Sequence, residues 1–139
     1  MMYKFTKRIF DFVCAFIGIV GTSPIWIFSI VLIELSDPGP LFYFANRVGK
    51  DNKKFKMWKF RSMRVDAEKD GVARLASKND SRITPVGKFI RKVRLDELPQ
   101  LFNILKGDMS FIGPRPERPE IIRQYKEDMP EFVFRMKVK

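Results

Sequence analysis

Histidine is absent from this chain of 139 residues, and cysteine occurs once, at Cys14. Without histidine the chain lacks the commonest general base and the commonest metal ligand of proteins, so carboxylates become the main candidates for catalysis. A single cysteine excludes an intramolecular disulfide and a cysteine-rich zinc site. Its position inside an apolar run favours a small residue that faces lipid or a protein core.

Acidic residues are outnumbered, with 16 Asp and Glu against 27 Lys and Arg, and the formal net charge is +11. A balance this basic indicates an anionic partner, which is a lipid headgroup, a phosphorylated substrate or a nucleic acid. A nucleic acid is disfavoured, because the sequence has no zinc finger, RNA-recognition motif or clear helix-turn-helix pattern and contains a long apolar run. We therefore expect lipid or phosphorylated partners and no nucleic acid.

The longest apolar run extends from Phe12 to Ile33, 22 residues without a charge. As a helix it would reach about 33 Å, enough to cross the hydrocarbon of a bilayer. Ser23 and Pro24 fall at its middle, where proline has no amide hydrogen and its ring clashes with the preceding turn, so a sharp bend is expected. The sequence predicts a membrane-embedded helix, break and helix over residues 1–36, and a cytoplasmic domain over residues 37–139.

Cations flank this run on both sides, with Lys4, Lys7 and Arg8 before it and many Lys and Arg residues from Arg47 onward. Cytoplasmic loops collect such residues, so two basic flanks favour a re-entrant hairpin that enters and leaves the membrane on one face. A kinked spanning helix is the open alternative, since proline-kinked spans are common. Lys4, Lys7 and Arg8 are expected to contact lipid headgroups.

The polar part of the chain begins with PGPLFYFANRVGKDNKKFKMWKFRSM. Aromatic residues in both arms and a turn at residues 49–52 are typical of a β-hairpin. Residues 66–81 mix charged residues with Gly, Ser and Asn and show little periodicity, which predicts a loop.

Two helices are expected after that loop. The first carries an apolar face among cations, and such a basic amphipathic helix either packs on a core or lies in an anionic membrane interface. The second carries another apolar face and ends at Gly107. The two faces consist of Val86, Phe89, Ile90 and Val93, and of Leu98, Leu101, Phe102 and Leu105. With a stiff proline-rich loop around Arg115, these elements predict an α+β fold.

Asp96 and Glu97 stand at the predicted start of the second helix, with Pro99 inside its first turn. Acids at that position complement the helix dipole and cap free amides. The same position suits a carboxylate that acts as a ligand or a nucleophile. Arginines before the pair and in the later proline-rich loop indicate a site for a diphosphate held with a divalent cation. A surface ion-pair network is the alternative.

Several stretches strongly resemble the bacterial sugar transferase family, the monotopic polyprenyl-phosphate phosphoglycosyl transferases. They are KRIFD, the mid-run Ser23-Pro24, KFRSM, RITPVGKFIRK and LDELPQLFNILKGDMSFIGPRP, and the likeness runs from about Lys7 to the last residue. The resemblance implies a re-entrant membrane helix and an active site at the cytoplasmic face of the bacterial inner membrane. It also implies magnesium-dependent transfer of phospho-sugar from a UDP-sugar to polyprenyl (undecaprenyl) phosphate. Such a product starts a lipid-linked glycan, which is an exopolysaccharide, a capsule, an O-antigen or a glycoprotein.

Carried onto this chain, the family's catalytic dyad is Asp96 and Glu97, with Asp96 as the nucleophile and both residues close to Mg²⁺. The other expected site residues contact the substrate, and most of them are cations suited to phosphate. They are Arg115, Arg91, Lys59, Arg61, Pro114 and Pro116.

The resemblance also carries an expectation about length. Family members usually continue past the equivalent of FRMKVK, so this chain, which ends at Lys139, is expected to lack the C-terminal part of the catalytic domain. Two functions are therefore open. One is the transferase, and the other is an inactive membrane-bound module that binds anionic lipid or a partner subunit.

Overall fold

The computed structural model describes residues 2–67 and 80–137. Its regular elements are α1 (Met2–Gly21), α2 (Ser23–Ser36), β1 (Phe42–Val48), β2 (Lys54–Phe60), α3 (Pro85–Lys92), α4 (Gln100–Lys106) and α5 (Pro119–Asp128), with 3₁₀ turns at Lys50–Asn52, Leu95–Glu97 and Pro130–Lys137. The predicted α+β fold is confirmed. Most of the predicted loop over residues 66–81 lies outside the described residues.

The predicted helix break is present at Thr22, directly before Ser23 and Pro24. Pro24 lies in the first turn of α2, where a missing amide hydrogen costs no helical hydrogen bond. The Trp26 indole donates to the Thr22 hydroxyl at 2.9 Å, which fixes the start of α2. No single helix of the described chain is long and apolar enough to cross a membrane, but α1 and α2 meet that test together, with a bend of 60°.

The predicted β-hairpin is also present, as the two-stranded sheet of β1 and β2. Its connection contains the 3₁₀ turn Lys50–Asn52, in which Asp51 and Asn52 have left-handed φ angles of 55° and 60°. Asp and Asn tolerate this conformation better than most residues, because their short side chains can bond to nearby backbone. The sequence of the turn therefore explains its position.

The chain divides into two compact units that alternate along the sequence. The first unit takes the described residues of Met1–Gly21, Phe44–Trp58 and Gln100–Lys139, and the second takes Thr22–Tyr43 and Lys59–Pro99. The division into a membrane segment over residues 1–36 and a catalytic segment over residues 37–139 stays a prediction.

In the first unit, α4 packs against α1, with the Leu101 side chain close to Gly18. Asn103 of α4 is buried and bonds to the backbone of β2. Its Oδ1 accepts from the Trp58 amide at 2.9 Å, and its Nδ2 donates to the Lys56 carbonyl at 2.8 Å. A polar side chain can be buried in this way because its hydrogen bonds are satisfied.

Arg8, in the first unit, was predicted to contact lipid headgroups, but in the structure it contacts α4. Its guanidinium donates to the carbonyl oxygens of Ile104 and Leu105 at 2.6 and 2.5 Å, at the C-terminal end of α4. Such carbonyls have no partner within their own helix, and a guanidinium matches two of them at once. The sequence pattern did not predict this contact, because only the fold brings these residues together.

The second unit is built around Phe60, the last residue of β2. The Phe60 ring stacks on Phe42 with centroids 5.5 Å apart and meets the edge of Trp26 at 5.3 Å. Phe60 is buried by these contacts. Aromatic pairs of this kind stabilise a fold by about 0.5–1.5 kcal/mol beyond the burial of area. The end of the hairpin is thus fixed against α2.

Helix α3 starts at a Thr84 cap, whose hydroxyl accepts from the Gly87 amide at 2.8 Å. Gly87 lies directly against the backbone of Ser62, and a Cβ atom has no room there. The predicted apolar face of α3 is only partly buried. Ile90 is enclosed, whereas Phe89 and Val93 are 47% and 48% exposed.

Candidate active site

The prediction that Asp96 and Glu97 begin the helix of Leu98 to Leu105 is wrong in detail. The pair lies in a separate 3₁₀ turn, Leu95–Glu97, and α4 begins only at Gln100. Backbone bonds from Glu97 to Arg94 and from Leu98 to Leu95 close this tighter turn. The pair is therefore not within the first turn of α4, where the helix dipole acts most strongly.

Burial also distinguishes this pair from acids at a solvated helix start. Asp96 is 7% exposed. The Lys59 ammonium lies 3.2 Å from Oε1 of Glu97 and 3.7 Å from Oδ2 of Asp96. Arg94 approaches the other Glu97 oxygen at 3.9 Å from its exposed side chain. One ammonium group thus bridges two adjacent carboxylates, one of them buried, which is more than a surface ion-pair network.

The pKa of Asp96 is raised above its ordinary value, and the main cause is the desolvation that accompanies burial. The positive charge of Lys59 lowers the pKa and opposes this effect, whereas the negative charge of Glu97 raises it further. The positive charge of Arg91 also lowers the pKa. A buried carboxyl group between opposing charges is typical of functional sites, because burial and neighbouring charge are what perturb a pKa there.

The three cations of the second unit that were predicted to contact the substrate differ in their surroundings. Lys59 contacts the dyad, and the charge of Arg91 acts on Asp96. Arg61 is buried and bound at the end of α2, where its guanidinium donates to the carbonyl oxygen of Asp37 and lies 3.9 Å from the Asp37 carboxylate. Asp37 was not among the sequence candidates, and nothing local in the sequence pairs it with Arg61.

The Pro-Arg-Pro loop lies in the first unit, where it forms one wall of a cavity of about 200 Å³. Polar groups from three other segments line the same cavity, namely Lys50, Gln100 and Asp108. The Gln100 Nε2 group is buried and has no hydrogen-bond partner within the described part of the chain. A buried donor without a partner costs free energy, which a ligand that accepts from it would recover. Sequence reasoning missed Gln100 and Asp108, which sit inside the quoted motif.

The two carboxylates of the dyad are the only predicted metal ligands. Among residues 2–67 and 80–137, no group of three or more Asp, Glu, Cys or His side chains is arranged to hold a metal ion. Magnesium often takes one or two carboxylates and completes its shell with waters and substrate phosphates. Asp96 and Glu97 fit that donor set, so the magnesium requirement stays a prediction that the residues permit.

Comparisons with known proteins agree with the resemblance. The sequence model of the family described as bacterial sugar transferase matches residues 2–139. The chain is 48% identical over 134 residues to the UDP-N-acetylgalactosamine-undecaprenyl-phosphate N-acetylgalactosaminephosphotransferase of Aeromonas hydrophila. It is 50% identical over 134 residues to the putative undecaprenyl-phosphate N-acetylgalactosaminyl 1-phosphate transferase of Bacillus subtilis. It is 42% identical over 136 residues to the UDP-glucose:undecaprenyl-phosphate glucose-1-phosphate transferase of Escherichia coli.

These alignments cover 96%, 96% and 98% of this chain, in the same order. The chain spans 31% of the Aeromonas protein, 74% of the Bacillus protein and 29% of the Escherichia protein. The family model covers nearly the whole chain and the Bacillus relative is matched over most of its length, so this chain belongs to the bacterial sugar transferase family.

Proposed function

We propose that this protein transfers a sugar phosphate from a UDP-sugar to undecaprenyl phosphate. The names of the relatives support the acceptor and the type of group transferred. The observation that carries the proposal is the buried Asp96 carboxyl group, held beside Glu97 by a single Lys59 ammonium. This arrangement supports a carboxylate nucleophile in a chain that has no histidine.

In the proposed reaction, an Asp96 carboxylate oxygen attacks the phosphorus atom that carries the sugar. The bond from that phosphorus to the bridging oxygen breaks, and UMP leaves with the electron pair. A phosphate oxygen of the lipid then attacks the same phosphorus, which releases the carboxylate and forms a lipid diphospho-sugar. The acceptor is already an anion, so neither step needs a strong general base.

The surroundings of Asp96 suit this role. Burial removes water from the carboxylate and raises its pKa, while Lys59 favours the ionised form that attacks. Lys59 also offsets the repulsion that a diphosphate would meet from two carboxylates. A magnesium ion bound by Asp96 and Glu97 would supply further charge stabilisation to the leaving group.

The position of the reaction is part of the proposal. Helices α1 and α2 together have the length and composition of a membrane segment, and apolar side chains such as Phe12, Ile17 and Phe28 are exposed on them. We infer a re-entrant hairpin that holds the protein at the cytoplasmic face of the bacterial inner membrane. At that interface the lipid acceptor, undecaprenyl phosphate, can meet the water-soluble UDP-sugar.

The direct test uses the purified chain in a lipid nanodisc with undecaprenyl phosphate, magnesium and a panel of UDP-sugars. UMP release is expected, together with a phospho-sugar adduct on Asp96 in the mass spectrum. Asp96→Asn should abolish both signals. Asp51→Asn is the matched control, because it removes an exposed carboxylate from the hairpin turn. UMP release by the Asp96→Asn variant would overturn the assignment of the nucleophile.

A second candidate is a membrane-bound module without turnover, which binds anionic lipid. The observation that favours it is the exposure of Phe89 on α3 and of Val93 directly after the helix, next to the exposed cations Lys88 and Lys92. This function predicts binding to anionic vesicles that weakens with salt, and no UMP release with any donor. Turnover by the chain would remove it.

A further inference from the structure

Two charged residues lie on one face of α1, three positions apart. The Arg8 guanidinium donates to the carbonyl oxygens of Ile104 and Leu105, and the Asp11 Oδ1 atom accepts from the Phe111 amide at 3.1 Å. Asp11 is 4% exposed. All of these residues belong to the first unit. Helix α1 therefore bonds to both ends of the segment formed by residues 104–111.

The Arg8 contact depends on the end of α4. Gly107 terminates α4 with a φ of +96°, and a Cβ atom on it would lie 3.2 Å from the Cζ atom of Arg8. The guanidinium thus lies against the glycine, where it reaches the last carbonyl oxygens of α4, of which that of Ile104 also accepts from the Gly107 amide at 3.0 Å. A lysine carries all its donors on one nitrogen, so it does not reproduce the geometry in which two separate guanidinium nitrogens each donate to one carbonyl.

The Asp11 contact explains an acid within an otherwise apolar stretch of α1. A buried carboxylate is costly unless a hydrogen bond compensates it, and the Phe111 amide supplies a charge-assisted one. The oxygen atom of an asparagine could accept the same bond without the charge. A side chain without an oxygen could not.

The segment that these two residues hold is part of the cavity wall. Asp108, Met109, Ser110 and Phe111 line the cavity together with Pro114, Arg115 and Pro116. A shift of residues 104–111 would therefore move the wall that leads into the Pro-Arg-Pro loop. Small displacements of a binding wall can have large effects on affinity and rate.

We propose that Arg8 and Asp11 are positioning residues, which fix the cavity wall for binding of the sugar nucleotide. This inference rests on the proposed function for the identity of the ligand. It replaces the expected headgroup role of Arg8. It also gives α1 a second role besides the proposed membrane anchoring, since the helix sets the shape of a binding site in its own unit.

The first measurement is amide hydrogen exchange of residues 104–111 in the nanodisc-bound chain. Arg8→Lys and Asp11→Leu should speed exchange of this segment by about tenfold or more, whereas Asp11→Asn should keep the protection of the Phe111 amide. Lys4→Ala is the matched control, because Lys4 is an exposed cation on the same helix, and the exchange of this segment should stay unchanged. Unchanged exchange in Arg8→Lys and Asp11→Leu overturns the inference.

The second measurement is the KM for the UDP-sugar, or the Kd for UDP in the same nanodiscs. Arg8→Lys and Asp11→Leu should raise this constant by about tenfold, with a smaller change in kcat, and Asp11→Asn should restore it. Faster exchange with an unchanged constant overturns the role in substrate binding. Absence of UDP binding and turnover in the unmodified chain rejects the proposed function, while the exchange measurement still decides whether α1 holds the segment.

If Asp11→Leu does not fold, Arg8→Lys and Arg8→Gln provide the same comparison with smaller changes. Far-UV circular dichroism and the fluorescence of Trp58, which packs against Phe44 and Phe102, report whether the first unit is intact. A role at the headgroups predicts full activity for Arg8→Lys, because the charge is kept. Full activity of that variant, with normal exchange, therefore contradicts the proposal.

Discussion

Substitution of Gly87 by alanine reverses the usual effect of this change in a helix. Alanine in place of a helical glycine ordinarily stabilises a protein by about 0.5–1 kcal/mol. At Gly87, however, the new Cβ atom would lie 2.7 Å from the carbonyl carbon of Ser62 and closer still to its oxygen. The obstacle is backbone, which cannot rotate away as the end of a side chain can.

The cost of this clash follows from the geometry. Ordinary contact begins near 3.4 Å, so α3 and the segment at Ser62 must separate by at least about 0.7 Å. Overpacking of this kind costs about 1–3 kcal/mol. The separation also strains the 3.2 Å bond from the Thr84 amide to the Ser62 carbonyl, worth about 1 kcal/mol. We expect a net loss of about 2 kcal/mol, since the gain in helix propensity offsets part of the cost.

Thermal unfolding in detergent is the appropriate assay, with the fluorescence of Trp26 as the reporter for the second unit. A loss of about 2 kcal/mol should lower the Tm by roughly 5–10 °C. Gly21→Ala is the matched control, because a Cβ atom at Gly21 meets nothing within 4 Å. A Tm that rises in both variants would show that Ser62 does not confine α3, and the reasoning from this contact would be refuted.

Three further changes test the site and its support. Burial raises the pKa of Asp96, so the folded chain holds this proton more tightly than the unfolded chain, and stability falls as pH rises from about 4 through the raised pKa. Asp96→Asn removes the cost of burying this ionised carboxylate, so at pH 7 the Tm of the variant should equal or exceed that of the unmodified chain. UMP release should be lost. A marked fall in Tm would contradict this reasoning. Lys59→Met removes a charge that lowers the Asp96 pKa, so the acidic limb of the pH profile for UMP release should move to higher pH. The rate of UMP release should also fall at least about tenfold. The matched control is Lys53→Met, which removes an exposed cation and should leave the acidic limb in place. Asn103→Leu deletes the bonds to β2 and should cost about 2 kcal/mol in urea unfolding. Asn103→Asp still accepts from the Trp58 amide, but it sets a buried carboxylate oxygen against the Lys56 carbonyl and the Asp108 carboxylate, so at pH 7 it should cost at least as much.

Local chemistry made part of this fold predictable. Pro24 cannot donate a backbone hydrogen bond, so the break in the apolar run could be located almost to the residue. The turn of the hairpin was equally local, because Asp51 and Asn52 suit left-handed backbone. Gly107 ends α4 for the same kind of reason, with its positive φ. Each of these signals lies within a few residues of the feature that it determines.

Pairing between distant residues was not predictable from the pattern. Lys59 and Glu97 are 38 positions apart, and the chain offers many other cations that could have faced the dyad. Arg61, two residues from Lys59, binds at Asp37 instead. Charge patterns show that a cation is present, but only the packing of strands and helices decides which acid it meets. The resemblance implied a nucleophile role for Asp96, which stays a prediction, whereas its burial came only from the structure.

The ring contacts of Phe60 have a mechanical consequence. Phe60 joins the end of β2 to Trp26 of α2, and Lys59 is the residue directly before it. When a bilayer holds α2, the depth of that helix therefore also sets the height of the Lys59 ammonium. Asp96, Glu97 and Lys59 belong to the same unit as α2, so in the proposed membrane position lipids with longer or shorter tails would raise or lower the whole dyad together with the helix.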